Sequence, residues 1–353
     1  MSRFLSEKLA ALKAYVPGEQ PRDKRYIKLN TNESPYPPPK SVTDSIGKAE
    51  IEDLRLYSDP ECTALKTALA EQYGVNTKNI FISNGSDEIL NFAFMAYGDK
   101  GAVFPDITYG FYSVFADLYG ISAKVVPLKD DFTVDINDYC GKNSLVVLAN
   151  PNAPTGIALE LSEIEKIVSS NPDGVVIIDE AYVDFGAESA IRLTEKYHNL
   201  LVVQTYSKSR SMAGARLGFA FADETIIEDL EKIKYSTNPY NINRLTQLAG
   251  AAALKNQAYF DENCLKIAET REYVKSELRR LGFTVTDSKA NFLFAKSDKT
   301  GGKELYLSLK ERGILIRHFE RERINDYNRI TVGSCEEMEI FLKNVREIIG
   351  GKV

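Results

Sequence analysis

The chain is poor in the residues on which most metal and nucleophile chemistry depends. In 353 residues it has no tryptophan, two histidines and four cysteines. The histidines, His198 and His318, lie in no H-E-x-x-H motif and in no recognisable Ser-His-Asp setting, so we expect no metal and no such triad. The cysteines are too widely spaced for a disulfide framework, and we expect buried free thiols. They are Cys62, Cys140, Cys264 and Cys335.

Long apolar segments and an excess of basic charge are also absent. The longest apolar runs, such as residues 174–178, fall far short of the ~20 residues of a membrane helix. Charges interrupt residues 1–8, where a signal peptide would need an apolar core, so we expect a cytoplasmic protein without a membrane partner. The 50 acidic and 44 basic residues give a formal net charge of −6. This disfavours nucleic acid as the main partner, because a phosphate backbone requires a basic face.

What the chain does have is an alternation of short apolar runs with amphipathic segments. This pattern is typical of an α/β fold with a mostly parallel sheet between helices. Several runs are apolar throughout, as expected of strands that helices cover on both faces. The predicted strands of this sheet are residues 80–83, 102–104, 123–126, 145–149, 175–179, 200–205 and 218–221.

Helix ends can also be predicted in this part of the chain. Asp59 and Pro60 predict an N-cap and a first helical residue, and Gly74 predicts the end of that helix. Ser162 begins a segment with the spacing of a capping box. The segment that opens at Ser86 predicts a helix running to Gly98.

The character of the sequence changes after about residue 241. Two long helical patterns lead into short strands and a last helix, which indicates a smaller α+β domain. We therefore predict an N-terminal arm at 1–34, a large domain at 35–241 and a small domain at 242–353. The predicted elements of the small domain are helices at 243–255, 258–281 and 335–349 and strands at 283–285, 291–295, 314–317 and 329–332.

Asp179 is the first candidate for chemistry. It follows four apolar residues, 175–178, and should lie at the carboxyl end of a buried parallel strand, where open α/β sheets bind ligands. A carboxylate there needs a cation or a hydrogen-bond donor to stay charged. A Walker-type magnesium site is one interpretation, but the chain has no G-x-x-x-x-G-K-[ST] motif. A protonated pyridine nitrogen would also serve.

Lys208 comes three residues after the predicted strand 200–205, and Arg216 stands eight residues further on. A single lysine is usually a solvated surface group. At the end of an apolar strand, however, desolvation and a neighbouring cation both favour the neutral amine that imine formation requires. Paired with Asp179, Lys208 is a candidate nucleophile.

Polar residues also follow two other predicted strands. Ser86 and Asp87 open a helix in the segment S-N-G-S-D-E, which is either a phosphate-binding helix N-terminus or a plain N-cap. Asn152 lies in N-P-N-A-P-T-G, a turn segment whose two prolines predict a rigid platform for one outward side chain.

In this order and spacing the motifs resemble one family. N-P-N-A-P-T-G, V-V-I-I-D-E-A-Y and S-K with an arginine eight residues later are similar to the fold-type I pyridoxal-phosphate aminotransferases. The resemblance extends from about Leu29 to the C-terminus. Four further segments resemble the histidinol-phosphate aminotransferases most closely: L-N-T-N-E-S-P, R-L-Y-S-D-P, P-D-I-T-Y and R-I-T-V-G. One departure is Ser209-Arg210-Ser211, where that family is expected to have small or aromatic residues.

The resemblance implies a role for each motif residue toward pyridoxal 5'-phosphate. Lys208 would bond covalently to this cofactor and move the substrate proton, and Asp179 would keep the pyridine nitrogen protonated. Asn152 and Tyr182 would hydrogen-bond the ring hydroxyl, and Tyr109 would stack on the ring.

The resemblance also implies how the phosphate of the cofactor is held. Backbone groups of Ser86 and Asp87, the hydroxyl of Ser207 and the guanidinium of Arg216 would bind it. Tyr57 would reach the same phosphate in the neighbouring subunit, which implies a homodimer with shared active sites.

The implied reaction is the transamination of L-histidinol phosphate with 2-oxoglutarate, which gives imidazole-acetol phosphate and L-glutamate in histidine biosynthesis. Arg329 would bind the anionic end of either substrate, because arginine suits phosphate and carboxylate alike. Arg317 and Tyr15 would assist when that end is a phosphate ester, and Asn152 would lie beside the substrate.

Three alternatives share the cofactor. An aromatic amino-acid transaminase needs a pocket little different from one for imidazole, and a phosphothreonine decarboxylase also recognises a phosphate ester. A non-enzymatic, cofactor-binding regulator is the alternative from a different class, and it is disfavoured.

Overall fold

The computed structural model follows the predicted alternation of strands and helices closely. It describes residues 4–350. Residues 1–3 and 351–353, the outer ends of the predicted arm and small domain, lie outside the described residues. The strands are β1 (Ile27–Leu29), β2 (Ile80–Ser83), β3 (Ala102–Pro105), β4 (Ala123–Val126), β5 (Leu145–Ala149), β6 (Val176–Asp179), β7 (Leu200–Thr205), β8 (Gly218–Ala222), β9 (Phe283–Val285), β10 (Phe292–Ser297), β11 (Ile314–His318) and β12 (Tyr327–Thr331).

The helices lie between these strands and after the large sheet. They are α1 (Glu7–Ala10), α2 (Lys40–Asp44), α3 (Lys48–Glu52), α4 (Thr63–Tyr73), α5 (Ser86–Tyr97), α6 (Phe111–Tyr119), α7 (Leu161–Ser169), α8 (Glu224–Thr237), α9 (Arg244–Leu254), α10 (Gln257–Arg280), α11 (Gly302–Glu311) and α12 (Cys335–Gly350). Short 3₁₀ turns, among them Val183–Phe185 and Ala213–Ala215, complete the connections.

The larger sheet has seven strands in the order β2-β8-β7-β6-β5-β3-β4. Neighbouring strands from β4 across to β7 pair in parallel, while β8 is antiparallel to both of its neighbours. The predicted mostly parallel sheet is thus confirmed. Because parallel strands end at one edge, this topology brings the residues that follow β2, β5, β6 and β7 together.

Helices cover the larger sheet on both faces, which explains why strands such as β3 and β5 are apolar throughout. Ile178 and Val202 pack into one core with residues of α4, α7 and α9. Ile177, which precedes Ile178, and Val203, which follows Val202, pack into a second core with α5, α6 and α8. Because successive residues of a strand point to opposite faces, neighbouring residues at the ends of these strands also lie on opposite faces of the sheet.

The smaller sheet has the order β1-β11-β12-β10-β9 and is antiparallel except for the β1–β11 pair. Its core includes residues of α10 and α12 such as Ile267 and Phe341. The arm therefore contributes a strand to the small domain. The predicted ranges of arm, large domain and small domain stay a prediction. Ala249 of α9, which the prediction assigns to the small domain, packs in the core of the larger sheet.

The structure corrects three local predictions. Helix α4 begins at Thr63 instead of Pro60, because Asp59 accepts the N–H of Thr63 at 2.8 Å across an intervening turn. The capping box of α7 joins Glu160 and Glu163, so Ser162 lies inside the helix. Cys335 is exposed in the first turn of α12, unlike the buried Cys62 and Cys264.

A bilayer-spanning helix needs both length and apolar side chains. Within residues 4–350, none of the helices combines the two.

Candidate active site

Two adjoining cavities open at the carboxyl edge of the larger sheet. The inner cavity, of about 480 Å³, is lined by residues such as Ser86, Asp87, Asp179, Ser207 and Arg216. The outer cavity, of about 300 Å³, is lined by residues such as Tyr15, Asn30, Arg317, Arg321 and Arg329. Both are lined by Thr31, Tyr109, Ala153, Tyr182 and Lys208. Lys208 therefore stands where the two cavities meet.

Asp179 provides the buried acid of the inner cavity. It is 4% exposed, and its Oδ2 accepts a 2.8 Å hydrogen bond from the Tyr112 hydroxyl while Oδ1 accepts the Ala181 N–H at 3.2 Å. Burial raises the pKa of Asp179 to about 6, although both hydrogen bonds oppose that rise. A protonated ring nitrogen would relieve the cost of burying this carboxylate. This part of the cavity therefore suits a pyridinium.

The inner cavity also includes the start of α5, where Ser86 and Asp87 line it. The first N–H groups of a helix have no intrahelical partner and attract anions. Arg216 lies beside them. Its Nη2 donates to Asp87 Oδ2 at 3.2 Å, and its Nη1 donates to Ser207 Oγ at 3.5 Å. Gly85 permits this approach, because a Cβ at its position would lie 2.6 Å from Arg216 Nη2. Helix N–H groups, a hydroxyl and a guanidinium together are suitable ligands for a phosphate.

Lys208 is held between arm and sheet. Its Nζ donates a 3.2 Å hydrogen bond to the carbonyl of Thr31 and lies 5.6 Å from the centre of the Tyr182 ring. The Tyr182 hydroxyl in turn accepts from Asn32 Nδ2 at 2.9 Å. Thr31 and Asn32 were not predicted as site residues, although the segment L-N-T-N-E-S-P that contains them was one of the family motifs.

Tyr109 is fixed on the wall that both cavities share. Its hydroxyl donates to Asp87 Oδ1 at 2.8 Å, and its ring stands edge-on to Tyr112 with centroids 5.8 Å apart. Burial, assisted by the charge of Asp87, raises the pKa of Tyr109 well above its usual range. Tyr109 therefore stays a neutral hydrogen-bond donor, which leaves its ring as a rigid surface for a planar ligand.

The predicted outward orientation of Asn152 is wrong. This residue is 4% exposed, and it is not among the residues that line either cavity. Its Nδ2 donates to the Ile107 carbonyl at 3.0 Å and to Thr155 Oγ1 at 3.1 Å, and its Oδ1 accepts from Thr108 Oγ1 at 2.8 Å. The amide turns inward because the loop at 107–108 meets its hydrogen-bonding needs. Its contact with cofactor and substrate stays a prediction.

The outer cavity brings together the predicted Arg329, Arg317 and Tyr15. Arg329 Nη2 donates to the Asn30 carbonyl at 3.0 Å, and burial lowers the pKa of Arg329. Its buried Nε has no hydrogen-bond partner among residues 4–350. Arg317 donates to the carbonyls of Val16 and Pro17, both at 3.2 Å. The cavity thus holds cations whose donors are incompletely used.

The arm forms one side of the outer cavity, since Tyr15 stacks on Phe111 with ring centroids 4.2 Å apart. Arg321, which the sequence did not single out, also lines it and donates to the Asp106 carbonyl at 2.5 Å. Tyr57 is not a lining residue of either cavity. It is 79% exposed and stacks on Tyr240. Its predicted contact with a neighbouring subunit stays a prediction.

Comparison with known proteins agrees with this geometry. The family model described as aminotransferase class I and II matches residues 24–345. The chain is 53% identical over 352 residues to the histidinol-phosphate aminotransferase of Brachyspira hyodysenteriae, with 99% of each chain covered. It is 51% identical over 343 residues to that of a Marinomonas species, with 96% of this chain and 97% of the relative covered.

A solved structure shares the whole fold. It is the histidinol-phosphate aminotransferase from Sinorhizobium meliloti in complex with pyridoxal-5'-phosphate. The match has a TM-score of 0.89 at 24% identity and covers 100% of this chain and 99% of that one. The chain belongs to the class I and II aminotransferases. Within that class it belongs to the family of the histidinol-phosphate aminotransferases.

Proposed function

We propose that the protein transfers the amino group of L-histidinol phosphate to 2-oxoglutarate with pyridoxal 5'-phosphate as cofactor. The products are imidazole-acetol phosphate and L-glutamate, and the reaction belongs to histidine biosynthesis. The observation that carries the proposal is the position of Lys208 between a cavity suited to a phosphorylated pyridine and a cavity that contains arginines. Membership of the family supports the choice of substrate.

Pyridoxal phosphate, when bound, supplies an electron sink for the charge that develops at the substrate Cα. In the proposal, Asp179 would accept a hydrogen bond from the protonated ring nitrogen, and Tyr109 would pack against the ring. The remaining cofactor contacts are those that the resemblance implies: Ser86, Asp87, Ser207 and Arg216 at the phosphate, Asn152 and Tyr182 at the ring hydroxyl, and Tyr57 from a second subunit.

Lys208 is the proposed proton carrier. Its Nζ faces both cavities, so it can take a proton from the Cα of the amino donor and return it on the cofactor side. Thr31, whose carbonyl accepts the 3.2 Å bond, orients the amine. Tyr182, whose ring lies 5.6 Å away, limits its movement on the other side.

The proposed substrate contacts explain how one pocket serves two anions. Arg329 presents a planar fork of donors that fits a phosphate or a carboxylate. Arg317 and Tyr15 supply further contacts for the larger phosphate ester. The α-carboxylate of glutamate therefore relies on Arg329, and histidinol phosphate uses all three residues.

The test is the absorbance spectrum of the purified protein before and after L-histidinol phosphate is added without a keto acid. Conversion of the band of lysine-bound cofactor into that of the pyridoxamine form supports the proposal. A band that responds only to phenylalanine or to phosphothreonine would identify an aromatic transaminase or a decarboxylase instead. The Lys208→Ala variant is expected to keep the fold but to lack the lysine-dependent band and all transamination.

We also propose a cytoplasmic homodimer with shared active sites. Leu54, Leu56 and Tyr57, which are close together in the chain, are 51%, 46% and 79% exposed. Their exposure supports the proposal, because exposed apolar patches usually mark an interface. Dimers mixed from Tyr57→Ala and Lys208→Ala chains are expected to regain activity, because one of their two sites contains both residues. A mixture as inactive as its parents would refute shared sites.

A further inference from the structure

A buried arginine follows the lysine at the active site. Arg210 is 2% exposed, and its guanidinium lies 5.4 Å from the centre of the Tyr206 ring and 5.6 Å from that of Phe219. A buried charge destabilises the fold unless it is paired. The partners of Arg210 therefore indicate why this buried position holds a cation.

The first partner is Asp184, two residues after Tyr182. Arg210 Nη1 donates to Asp184 Oδ2 at 3.1 Å, and the Ser209 hydroxyl donates to the same oxygen. Ser209 directly follows Lys208 in the chain. Two charge-assisted hydrogen bonds thus join the segment that carries Lys208 to the segment that carries Tyr182.

The second partner is Tyr73 of α4. Arg210 Nη2 donates to the Tyr73 hydroxyl at 2.6 Å, and that hydroxyl donates to Gln204 Oε1 at 3.0 Å. Gln204 Nε2 then donates to Glu180 Oε2 at 2.9 Å. One planar guanidinium therefore bridges an acid near the site and a chain of hydrogen bonds within the core.

The network lies on the far side of the sheet from the cavities. Glu180 follows Asp179 and Gln204 precedes Thr205, and successive residues of a strand point to opposite faces. Asp179 and Thr205 line the inner cavity, whereas the network packs against α4. Arg210 itself is not a cavity-lining residue, so it acts on the site only through the residues that it holds.

We propose that Arg210 is a positioning residue that, through Asp184, sets the place of Lys208 relative to Tyr182 and the inner cavity. The inference rests on the proposed function, because it requires Lys208 to bond to the cofactor. An arginine is needed because its rigid fork reaches Asp184 and Tyr73 at once, whereas the single ammonium of a lysine cannot reproduce both bonds.

The test compares the dissociation constants of two forms of the cofactor. Pyridoxal phosphate is held by ring and phosphate contacts and by its bond to Lys208. Pyridoxamine phosphate carries an amine in place of the aldehyde and uses the ring and phosphate contacts alone. Arg210→Lys is expected to weaken the binding of pyridoxal phosphate about tenfold or more, which corresponds to a strain of about 1.4 kcal/mol in its bond to a displaced Lys208. The binding of pyridoxamine phosphate should stay unchanged within about twofold.

Two further variants keep the test decisive. Asp184→Asn combined with Arg210→Met removes both charges, which often leaves stability intact, and it should reproduce the selective loss. Lys66→Met is the matched control, because it breaks the partly buried 2.7 Å ion pair with Glu231 between α4 and α8. It should lower the melting temperature without altering the ratio of the two dissociation constants.

Equal weakening of both cofactor forms would overturn the proposal, since Arg210 would then only stabilise the fold. An unchanged ratio in a folded double variant would overturn it as well. If the proposed function itself were wrong, borohydride reduction would not attach pyridoxal phosphate covalently to Lys208 of the unaltered protein.

Discussion

The Tyr112 hydroxyl donates a 2.8 Å hydrogen bond to Asp179 Oδ2 inside the wall of the inner cavity. Tyr112 is fully buried in α6 and stands edge-on to Tyr109. Its hydrogen bond lowers the pKa of Asp179 and so opposes the dominant effect of burial. Tyr112 thus favours the ionised form of this acid, which is the form that can stabilise a protonated ring nitrogen.

Tyr112→Phe is therefore expected to lower kcat/KM about tenfold to a hundredfold, the effect of losing a hydrogen bond to a charged group. The acidic limb of the pH profile should move to higher pH, because the pKa of Asp179 rises without this donor. Tyr119→Phe is the control on the same helix, since it removes a 2.8 Å hydrogen bond to Asn91 away from the site. Kinetics that are alike for the two variants would contradict the assigned role.

Gly85→Ala should disrupt the proposed phosphate site at the start of α5. The new Cβ would lie 2.6 Å from Arg216 Nη2, in a residue whose φ is 78°. We expect both cofactor forms to bind at least tenfold more weakly, because a charged phosphate contact is lost or displaced. Gly141→Ala is the matched control, as it has the similar φ of 66° but nothing within 4 Å of the added Cβ. Equal affinities in the two variants would show that Arg216 does not hold the phosphate.

Arg317 and Arg329 should affect the two substrates differently. Arg317→Lys is expected to raise the KM of histidinol phosphate about tenfold or more and to leave that of 2-oxoglutarate nearly unchanged, because only the phosphate ester uses Arg317. Arg329→Lys should raise both. Steady-state kinetics with each substrate varied in turn measures the difference. A parallel rise for both substrates in Arg317→Lys would remove its specificity role.

Glu180 should make stability depend on pH. It is 2% exposed, and burial raises its pKa from 4.5 to about 7 although Ser189, Ala190 and Gln204 donate to it. Between these values the folded protein holds the proton more tightly than the unfolded chain, so its free energy of unfolding falls as pH rises. At about 1.4 kcal/mol for each pH unit, the fall is about 3 kcal/mol at most.

Denaturant unfolding of Glu180→Gln at pH 5 and pH 8 tests this sign. The free energy of unfolding of the variant minus that of the unaltered protein should be larger at pH 8 than at pH 5. Glu165→Gln serves as a control, because Lys196 lowers the pKa of the exposed Glu165 below 4.5, so this residue should add no trend between pH 5 and pH 8. The same trend in both variants would rule out Glu180 as its source.

Much of the fold could be predicted because its signals are local. The strands at 145–149 and 200–205 begin and end where predicted, since the first is a continuous apolar run and the second opens with four apolar residues. Asp179, Lys208 and Arg216 could be selected for a related reason. Each lies next to such a strand or at a fixed spacing from it, and all parallel strands deliver their ends to one edge.

The contacts that orient these groups could not be predicted in this way. Tyr112 lies in F-Y-S-V-F, where nothing distinguishes a hydrogen-bond donor from a packing residue, and its partner is 67 residues away. Arg210 meets Tyr73 across 137 residues, and Lys208 meets Thr31 across 177. The inward turn of Asn152 likewise depends on the loop at 107–108.

The sequence by itself thus determined the α/β fold, the family and the candidate reactive groups, because apolar periodicity and motif spacing are properties of contiguous residues. Only the tertiary structure decided which hydrogen bonds hold Asp179 and Lys208 in place, and that Asn152 points inward. Such bonds join residues far apart in the chain, and burial makes them strong by excluding water. Their partners are therefore set by packing and have no local signature.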